Sequence, residues 1–345
     1  MEKRNIIVIG ASTGGFEALK QLVAGLPTTL DAAIFIVWHM SPDMTGVLPQ
    51  VLNQQNTLPA TNAVDYEAII PGRIYVAPPD KHLLLEQGRV RVTRGPKENR
   101  FRPAVDPLFR SAAAIYGPRV IGIVLSGALD DGTAGLWTIK SRGGLAIVQE
   151  PMEAQAPSMP ESALAAVAVD YCVAMADMAP LLVRLTAETV TETNDVPLEE
   201  QRKTNREMRV AAQQRPLEPG TLTYGQLTPY ACPECHGVLS AIIDGDIMRY
   251  RCHTGHAHSA DSLLASITEK IEETLWSAIR GVEESISLLN TLGDHYAEKN
   301  QPKLAALYFK KAQEAEGRAE LVRQTVFNHE QLTTDSISKQ AEEEG

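Results

Sequence analysis

Three side chains could together cleave an ester or amide: Ser12, His39 and one of the adjacent pair Asp130 and Asp131. Ser12 lies in Gly10-Ala11-Ser12-Thr13-Gly14-Gly15, between the apolar run Asn5 to Ile9 and an amphipathic run, Phe16 to Leu26. In the second run Phe16, Leu19, Leu22, Val23 and Leu26 recur at helical spacing, so the pattern predicts a buried strand, a tight turn and a helix. Two chemistries use that architecture: phosphate binding at a helix N-terminus, and the nucleophile elbow G-x-S-x-G, which presents a serine hydroxyl at a strand end. Gly10, Ser12 and Gly14 fit the elbow. A dinucleotide fingerprint needs glycine where Ser12 stands, and the next apolar run, Ala33 to Trp38, ends in His39 rather than in a ribose-binding acid. An imidazole that takes the serine proton, steadied by a buried carboxylate, is what acyl transfer requires.

A second constellation lies far downstream. Cys232-x2-Cys235, sixteen residues, then Cys252-x3-His256 offers three thiolates and an imidazole on two knuckles, a tetrahedral Zn²⁺ set of the zinc-ribbon kind. His253 and His258 compete as ligands, and His256 is the better spaced. A full ligand set implies a structural rather than a catalytic ion, and we expect no cofactor for catalysis.

The elements that must position these groups follow from periodicity. From Asn5 to about Leu185, strand-like runs (Ala33 to Trp38, Arg73 to Ala77, Val120 to Leu125, Leu145 to Gln149, Tyr171 to Met175) alternate with helical ones (Pro107 to Ile115, Ala134 to Ser141, Pro160 to Ala166, Pro180 to Thr186). This predicts an α/β fold, a doubly wound, mostly parallel sheet, with a β-hairpin inserted at Lys81 to Thr93. Ligands of such sheets bind outside the carboxyl ends of the strands, and Ser12, His39 and Asp130-Asp131 each follow a strand. Alone, His39 would read as a strand-end histidine, and one of the two aspartates as a helix N-cap; together the three point to catalysis.

With 345 residues, the chain has length for more than one domain. We expect a catalytic domain over 1–186, an exposed polar linker over 187–228, a zinc-ribbon-like module over 229–258, an α-helical hairpin over 259–335 and a disordered tail over 336–345. The hairpin expectation rests on an apolar stripe from Leu264 to Leu292, a polar break from Gly293 to Pro302 and a second helix from Leu304 to Val326, with Trp276 and Tyr308 in its core. A net charge of -11 argues against nucleic acid as a partner. The absence of an apolar run of about 18 residues argues against membrane insertion, and we expect a cytoplasmic protein.

Gly10-Ala11-Ser12-Thr13-Gly14-Gly15, Trp38-His39-Met40, Ala77-Pro78-Pro79-Asp80-Lys81-His82, Arg102-Pro103-Ala104-Val105-Asp106 and Leu125-Ser126-Gly127-Ala128-Leu129-Asp130-Asp131-Gly132, in this order and spacing, resemble the catalytic domain of the chemotaxis protein-glutamate methylesterase (CheB-type) family. The resemblance implies Ser12 as nucleophile, His39 as base and Asp131, rather than Asp130, as third member. It places Thr13, Ala128 and Arg102 near the substrate or the developing oxyanion. The implied reaction is hydrolysis of glutamate γ-methyl esters on chemoreceptors to glutamate and methanol, with glutamine deamidation as a second activity. The family loop commonly reads G-M-G-N-D-G, so Ala128, Leu129 and Asp130 depart from it.

Members that act as response regulators carry a receiver domain before the esterase, whereas here the catalytic strand begins at residue 5. The expectation is regulation from elsewhere, with the C-terminal third as candidate, or constitutive activity. The segment from Cys232 onward is similar to C-terminal extensions of receiver-less members, and its helices would serve self-association or docking to a helical partner. Two other readings stay open: a silent receptor-binding scaffold, and an esterase or amidase acting outside chemotaxis.

Overall fold

The computed structural model describes residues 2–40, 47–190, 196–213, 225–333, 336–337 and 340–341. The N-terminal part comprises β1 (Glu2–Lys3), β2 (Ile6–Ala11), α1 (Gly15–Ala24), β3 (Ala33–Trp38), α2 (Val47–Asn53), β4 (Ala60–Asn62) and β5 (Ile74–Val76). A hairpin, β6 (His82–Glu86) and β7 (Arg89–Thr93), then leads to α3 (Val105–Tyr116) and β8 (Val120–Val124). The alternation resumes with α4 (Thr133–Ser141), β9 (Leu145–Gln149), α5 (Ser158–Ala166), β10 (Tyr171–Val173), α6 (Met175–Ala187) and β11 (Thr189–Val190).

Seven strands form one sheet in the order β10-β9-β8-β2-β3-β5-β4, and every neighbouring pair is parallel. The two-residue period of a strand sends alternate side chains to opposite faces. Ile7 and Ile9 of β2 therefore join one core with Leu19 and Leu22 of α1, Leu48 of α2 and Leu182 of α6. Ile6 and Val8 join the other with Leu108 and Phe109 of α3, Leu136 of α4 and Met159 of α5. Burial on both faces explains why these strands read as unbroken apolar runs. From β2 the chain winds towards β3, and from β8 it winds the other way, so the sheet changes direction at the β2–β8 crevice. That is where an open α/β sheet binds its ligand.

The stretch expected to be an exposed linker is, in its described part, docked. It contains α7 (Leu198–Ala211), which buries Glu207. Beyond it, β12 (Gln226–Ala231), β13 (Val238–Asp244), β14 (Ile247–Cys252) and β15 (Ala257–Ser259) form an antiparallel sheet. A buried ionic network welds these parts together. Arg110 of α3 pairs with Glu98 and lies 3.3 Å from Glu207, Arg251 reaches Glu98 and Glu207 at 3.1 Å each, and Arg249 pairs with Glu207 at 3.0 Å and with Asp244. Burial opposes ionisation of Glu207, but Arg249, Arg110 and Arg251 outweigh it and hold the carboxyl well below its usual range. A polar sequence pattern looks like a linker, yet here its charge is matched inside the fold. Residues Met1–Leu263 accordingly make one compact unit, which joins the expected catalytic, linker and ribbon segments.

The second unit, Leu264–Gly345, holds most of α8 (Ala260–Glu298) together with α9 (Pro302–Phe327). The two helices run antiparallel: Tyr296 stacks on Tyr308 with ring centroids 5.3 Å apart, and Glu283 pairs with Arg323 at 2.7 Å. The seam on α9 is made of small residues, Ala305, Ala312, Ala315 and Ala319. Trp276, expected in the core, is 49% exposed, because a two-helix seam covers only one stripe of each helix. The expected tail lies mostly outside the described residues.

Candidate active site

The Ser12 turn is fixed by its neighbours. Gly14 sits at φ 75°, a left-handed conformation suited to glycine, and a Cβ there would come within 2.6 Å of Ser126 Oγ. The Ser12 amide donates to the Ser126 carbonyl at 2.9 Å, and the Ser12 carbonyl accepts from the Gly15 amide at 2.9 Å and from Trp38 Nε1 at 3.1 Å. Helix α1 begins at Gly15, so its N-terminal amides and the positive end of its dipole lie beside the turn.

Strand register brings His39 to Ser12. Ala11 pairs with Trp38 across β2 and β3, and the His39 amide donates to the Ala11 carbonyl at 3.0 Å. The next residue on each strand is Ser12 and His39, so the two stand side by side at the carboxyl ends of adjacent strands, roughly 5 Å apart by strand spacing. The imidazole is buried and stacks on Phe101, with centroids 3.8 Å apart and planes at 12°.

Asp131 completes the arrangement. Its Oδ2 lies 2.8 Å from His39 Nε2, and both side chains are 2% exposed. The carboxylate also accepts from the amides of Val105 at 2.7 Å and Asp106 at 3.2 Å, and from Asn99 Nδ2 at 2.8 Å. It thus caps the N-terminus of α3, where the helix dipole favours an anion. Burial pushes the Asp131 carboxyl upward, but the hydrogen bonds from His39, Val105 and Asn99, with the charge of His39, prevail and hold it below the usual carboxylate range. An ionised Asp131 fixes the proton of the neutral imidazole on Nε2 and leaves Nδ1 as the basic nitrogen. His39 Nδ1 is buried without a hydrogen-bond partner, so Ser12 Oγ is not bonded to it in this structure.

The remaining predicted residues divide. Thr13 and Ala128 are exposed beside Ser12 and Asp131 in the two loops that follow β2 and β8. The Gly127 backbone packs on Ser12, since a Cβ there would lie 2.9 Å from Ser12 Cβ. Leu129, in place of the family's glycine, adopts φ 62°. Arg102 follows the Phe101 that stacks on His39, and its guanidinium donates to Asp80 Oδ1 at 2.6 and 2.9 Å and to the Gly95 carbonyl at 2.8 Å.

Sequence reasoning missed Asn99 and Asp106. Asn99 Nδ2 donates both to Asp131 and, at 2.9 Å, to Asp106 Oδ2, while Asp106 Oδ1 accepts the Gly135 amide at 2.7 Å. Burial, then the charge of Asp131, pushes the Asp106 carboxyl up to about 7. The available signal for Asn99 was slight: an asparagine in a Gly-Pro-Lys-Glu-Asn-Arg loop, where it adopts φ 49°.

The four predicted metal ligands do converge. Ligand atoms of Cys232, Cys235, Cys252 and His256 all lie within 4.8 Å of one another. The Cys235–Cys252 Sγ separation and the Cys252 Sγ to His256 Nδ1 separation are both 3.6 Å. Four ligands at Zn–S and Zn–N lengths of about 2.3 and 2.1 Å define tetrahedron edges close to these values, so the set fits such an ion. His258 Nε2 lies 3.7 Å from Cys232 Sγ and so borders the set, outside the group of four.

Fold and site together define an α/β protein with a nucleophile-type turn and an imidazole–carboxylate pair at the switch point of its sheet. Residues 7–182 match the CheB methylesterase family model, half of the chain, and the chain belongs to that family. A Leptospira interrogans protein provisionally named protein-glutamate methylesterase/protein-glutamine glutaminase is 39% identical over 180 residues, covering 52% of this chain and 93% of that protein. The Photorhabdus laumondii protein-glutamate methylesterase/protein-glutamine glutaminase is 38% identical over 174 residues, covering 49% of each. The crystal structure of the Thermotoga maritima CheB methylesterase catalytic domain is similar with a TM-score of 0.51 and 34% identity, covering 54% of this chain and 99% of that one. No described helix is long and apolar enough to cross a membrane.

Proposed function

We propose that the chain is a serine hydrolase that demethylates glutamate γ-methyl esters of a chemoreceptor or related signalling protein in the cytoplasm. The observation that carries this reading is the His39–Asp131 pair beside the Ser12 turn, in a chain of the methylesterase family. Ser12 Oγ attacks the ester carbonyl carbon while His39 Nδ1 takes its proton. The tetrahedral oxyanion is met by backbone amides at Thr13 and Ala128, strengthened by the α1 dipole. Collapse expels methanol, which takes the proton from His39, and leaves an acyl-serine. Water, deprotonated by His39, attacks the acyl carbon, releasing glutamate and restoring Ser12. The same steps with a glutamine side chain release ammonia, which supports deamidation as a second activity.

Cys232, Cys235, Cys252 and His256 would hold Zn²⁺, which supplies cross-linking of the two knuckles rather than chemistry at the ester. The exposed apolar side chains Trp276, Leu288, Leu307 and Phe327 support a role for the helical pair in self-association or docking.

Methanol release from methylated receptor fragments tests the reading. Release is expected from the wild type and loss of it from Ser12→Ala; equal release by both would overturn the assignment.

A further inference from the structure

The ribbon-like sheet reaches the catalytic carboxylate through its last strand. Segment 97–99 of the catalytic part lies alongside β15: the Asn99 amide donates to the Ala257 carbonyl at 2.8 Å, and the Ala257 amide donates to the Lys97 carbonyl at 3.2 Å. Glu98 and Ala257 form a parallel bridge, so this segment extends the four-stranded sheet, starting at the residue that follows ligand His256. At the end of β15, Ser259 makes two contacts. Its amide donates to Asn99 Oδ1 at 2.8 Å, and its hydroxyl donates to Asp130 Oδ1 at 2.6 Å. The same hydroxyl accepts the Ser262 amide at 3.0 Å, which fixes the start of α8. Asn99 hydrogen-bonds Asp131, and Asp130 precedes it in the chain.

We propose that Ser259 is a positioning residue for Asp131, through which the C-terminal sheet holds the carboxylate that orients His39. This rests on the catalytic reading above and adds to it the means by which the C-terminal part sets activity. An amide side chain with both Nδ2 hydrogens given to carboxylates can keep that orientation only if its oxygen is also held. The Ser259 backbone amide at 2.8 Å and the Ser262 hydroxyl at 3.3 Å hold it, and the Ser259 hydroxyl, through Asp130 and the Ser262 amide, anchors the segment that carries both. Asp130, a departure from the family loop, is the acceptor of the Ser259 hydroxyl.

The test uses the full chain with Ser259→Ala, Ser259→Thr, Asn99→Ala and, as control, Thr228→Val, which removes a side-chain hydrogen bond inside the C-terminal sheet from Thr228 to the Leu239 carbonyl. Two readouts are taken beside the melting temperature: the rate at which a fluorophosphonate labels Ser12, and the downfield proton NMR signal of His39 Nε2–H. Ser259→Ala, which keeps the amide but frees the segment that carries it, and Asn99→Ala, which removes the side chain that the amide holds, are expected to slow labelling about tenfold, the effect of about one hydrogen bond, and to broaden the proton signal. Ser259→Thr restores both, and Thr228→Val leaves both unchanged. Wild-type labelling and an unchanged signal in Ser259→Ala would overturn the proposal whatever the melting temperature, as would equal damage from Thr228→Val. A wild type that does not label, while Ser259→Ala still loses the proton signal, would remove the hydrolase reading and leave the positioning role intact.

Discussion

His39 Nε2 lies 2.8 Å from Asp131 Oδ2, which leaves Nδ1, not Nε2, as the nitrogen that faces no partner and can accept a proton. Asp131→Asn should therefore do more than remove a charge. An asparagine can offer its NH₂ to Nε2 and so stabilise the tautomer with the proton on Nδ1, the nitrogen needed as base. We expect methanol release to fall by roughly 10³- to 10⁴-fold, and by roughly 10³- to 10⁶-fold for Ser12→Ala. Binding of the receptor fragment should change little in either variant, so the loss appears in kcat.

Asp130 gives a pH signature. Burial pushes its carboxyl up to about 8, partly offset by the Ser259 hydroxyl. In the unfolded chain the same group ionises near pH 4, so between about 4 and 8 the unfolded state binds fewer protons and stability falls as pH rises. Asp130→Asn removes this dependence. Measured against wild type, its melting temperature should be higher by more at pH 8.5 than at pH 5.

Glu207 sits among Arg110, Arg249 and Arg251 in the interior. Glu207→Ala strands three buried guanidiniums with one carboxylate fewer, and removing one partner from a buried pair costs about 3–5 kcal/mol. Urea unfolding followed by circular dichroism should show the midpoint falling with little change in slope. A midpoint at the wild-type value would mean that α7 contributes no buried charge in solution.

The thiolate cluster predicts about one Zn²⁺ per chain by elemental analysis. Cys235→Ser should lower occupancy, and a strong chelator should lower the melting temperature of the wild type more than that of the variant.

Leu129 carries a side chain at φ 62°, a conformation that costs a branched residue about 1 kcal/mol or more. Leu129→Gly should raise stability by up to about that amount, read as a shift in the urea midpoint.

Local pattern was enough for much of this. The run Asn5 to Ile9, the Gly14 turn and the helical spacing to Leu26 specify strand, elbow and helix because each depends on near neighbours, and Ala33–Trp38 and Leu145–Gln149 came out at the predicted bounds for the same reason. The knuckle spacing likewise named four ligand residues that converge. Other relationships joined residues far apart in the chain. That Asp131 caps α3, that Asn99 bridges Asp131 and Asp106, and that a polar stretch folds inward on Glu207 each need partners dozens of residues away. A hydrogen bond or a buried charge is worth keeping only when its partner arrives, and no window of sequence reports on that. The sequence therefore determined which groups were available and which elements carried them. Tertiary structure decided which nitrogen of His39 is free, what holds Asp131 ionised, and that Ser259 stands behind it, because those depend on distances set only when sheet, helix and C-terminal strand have packed.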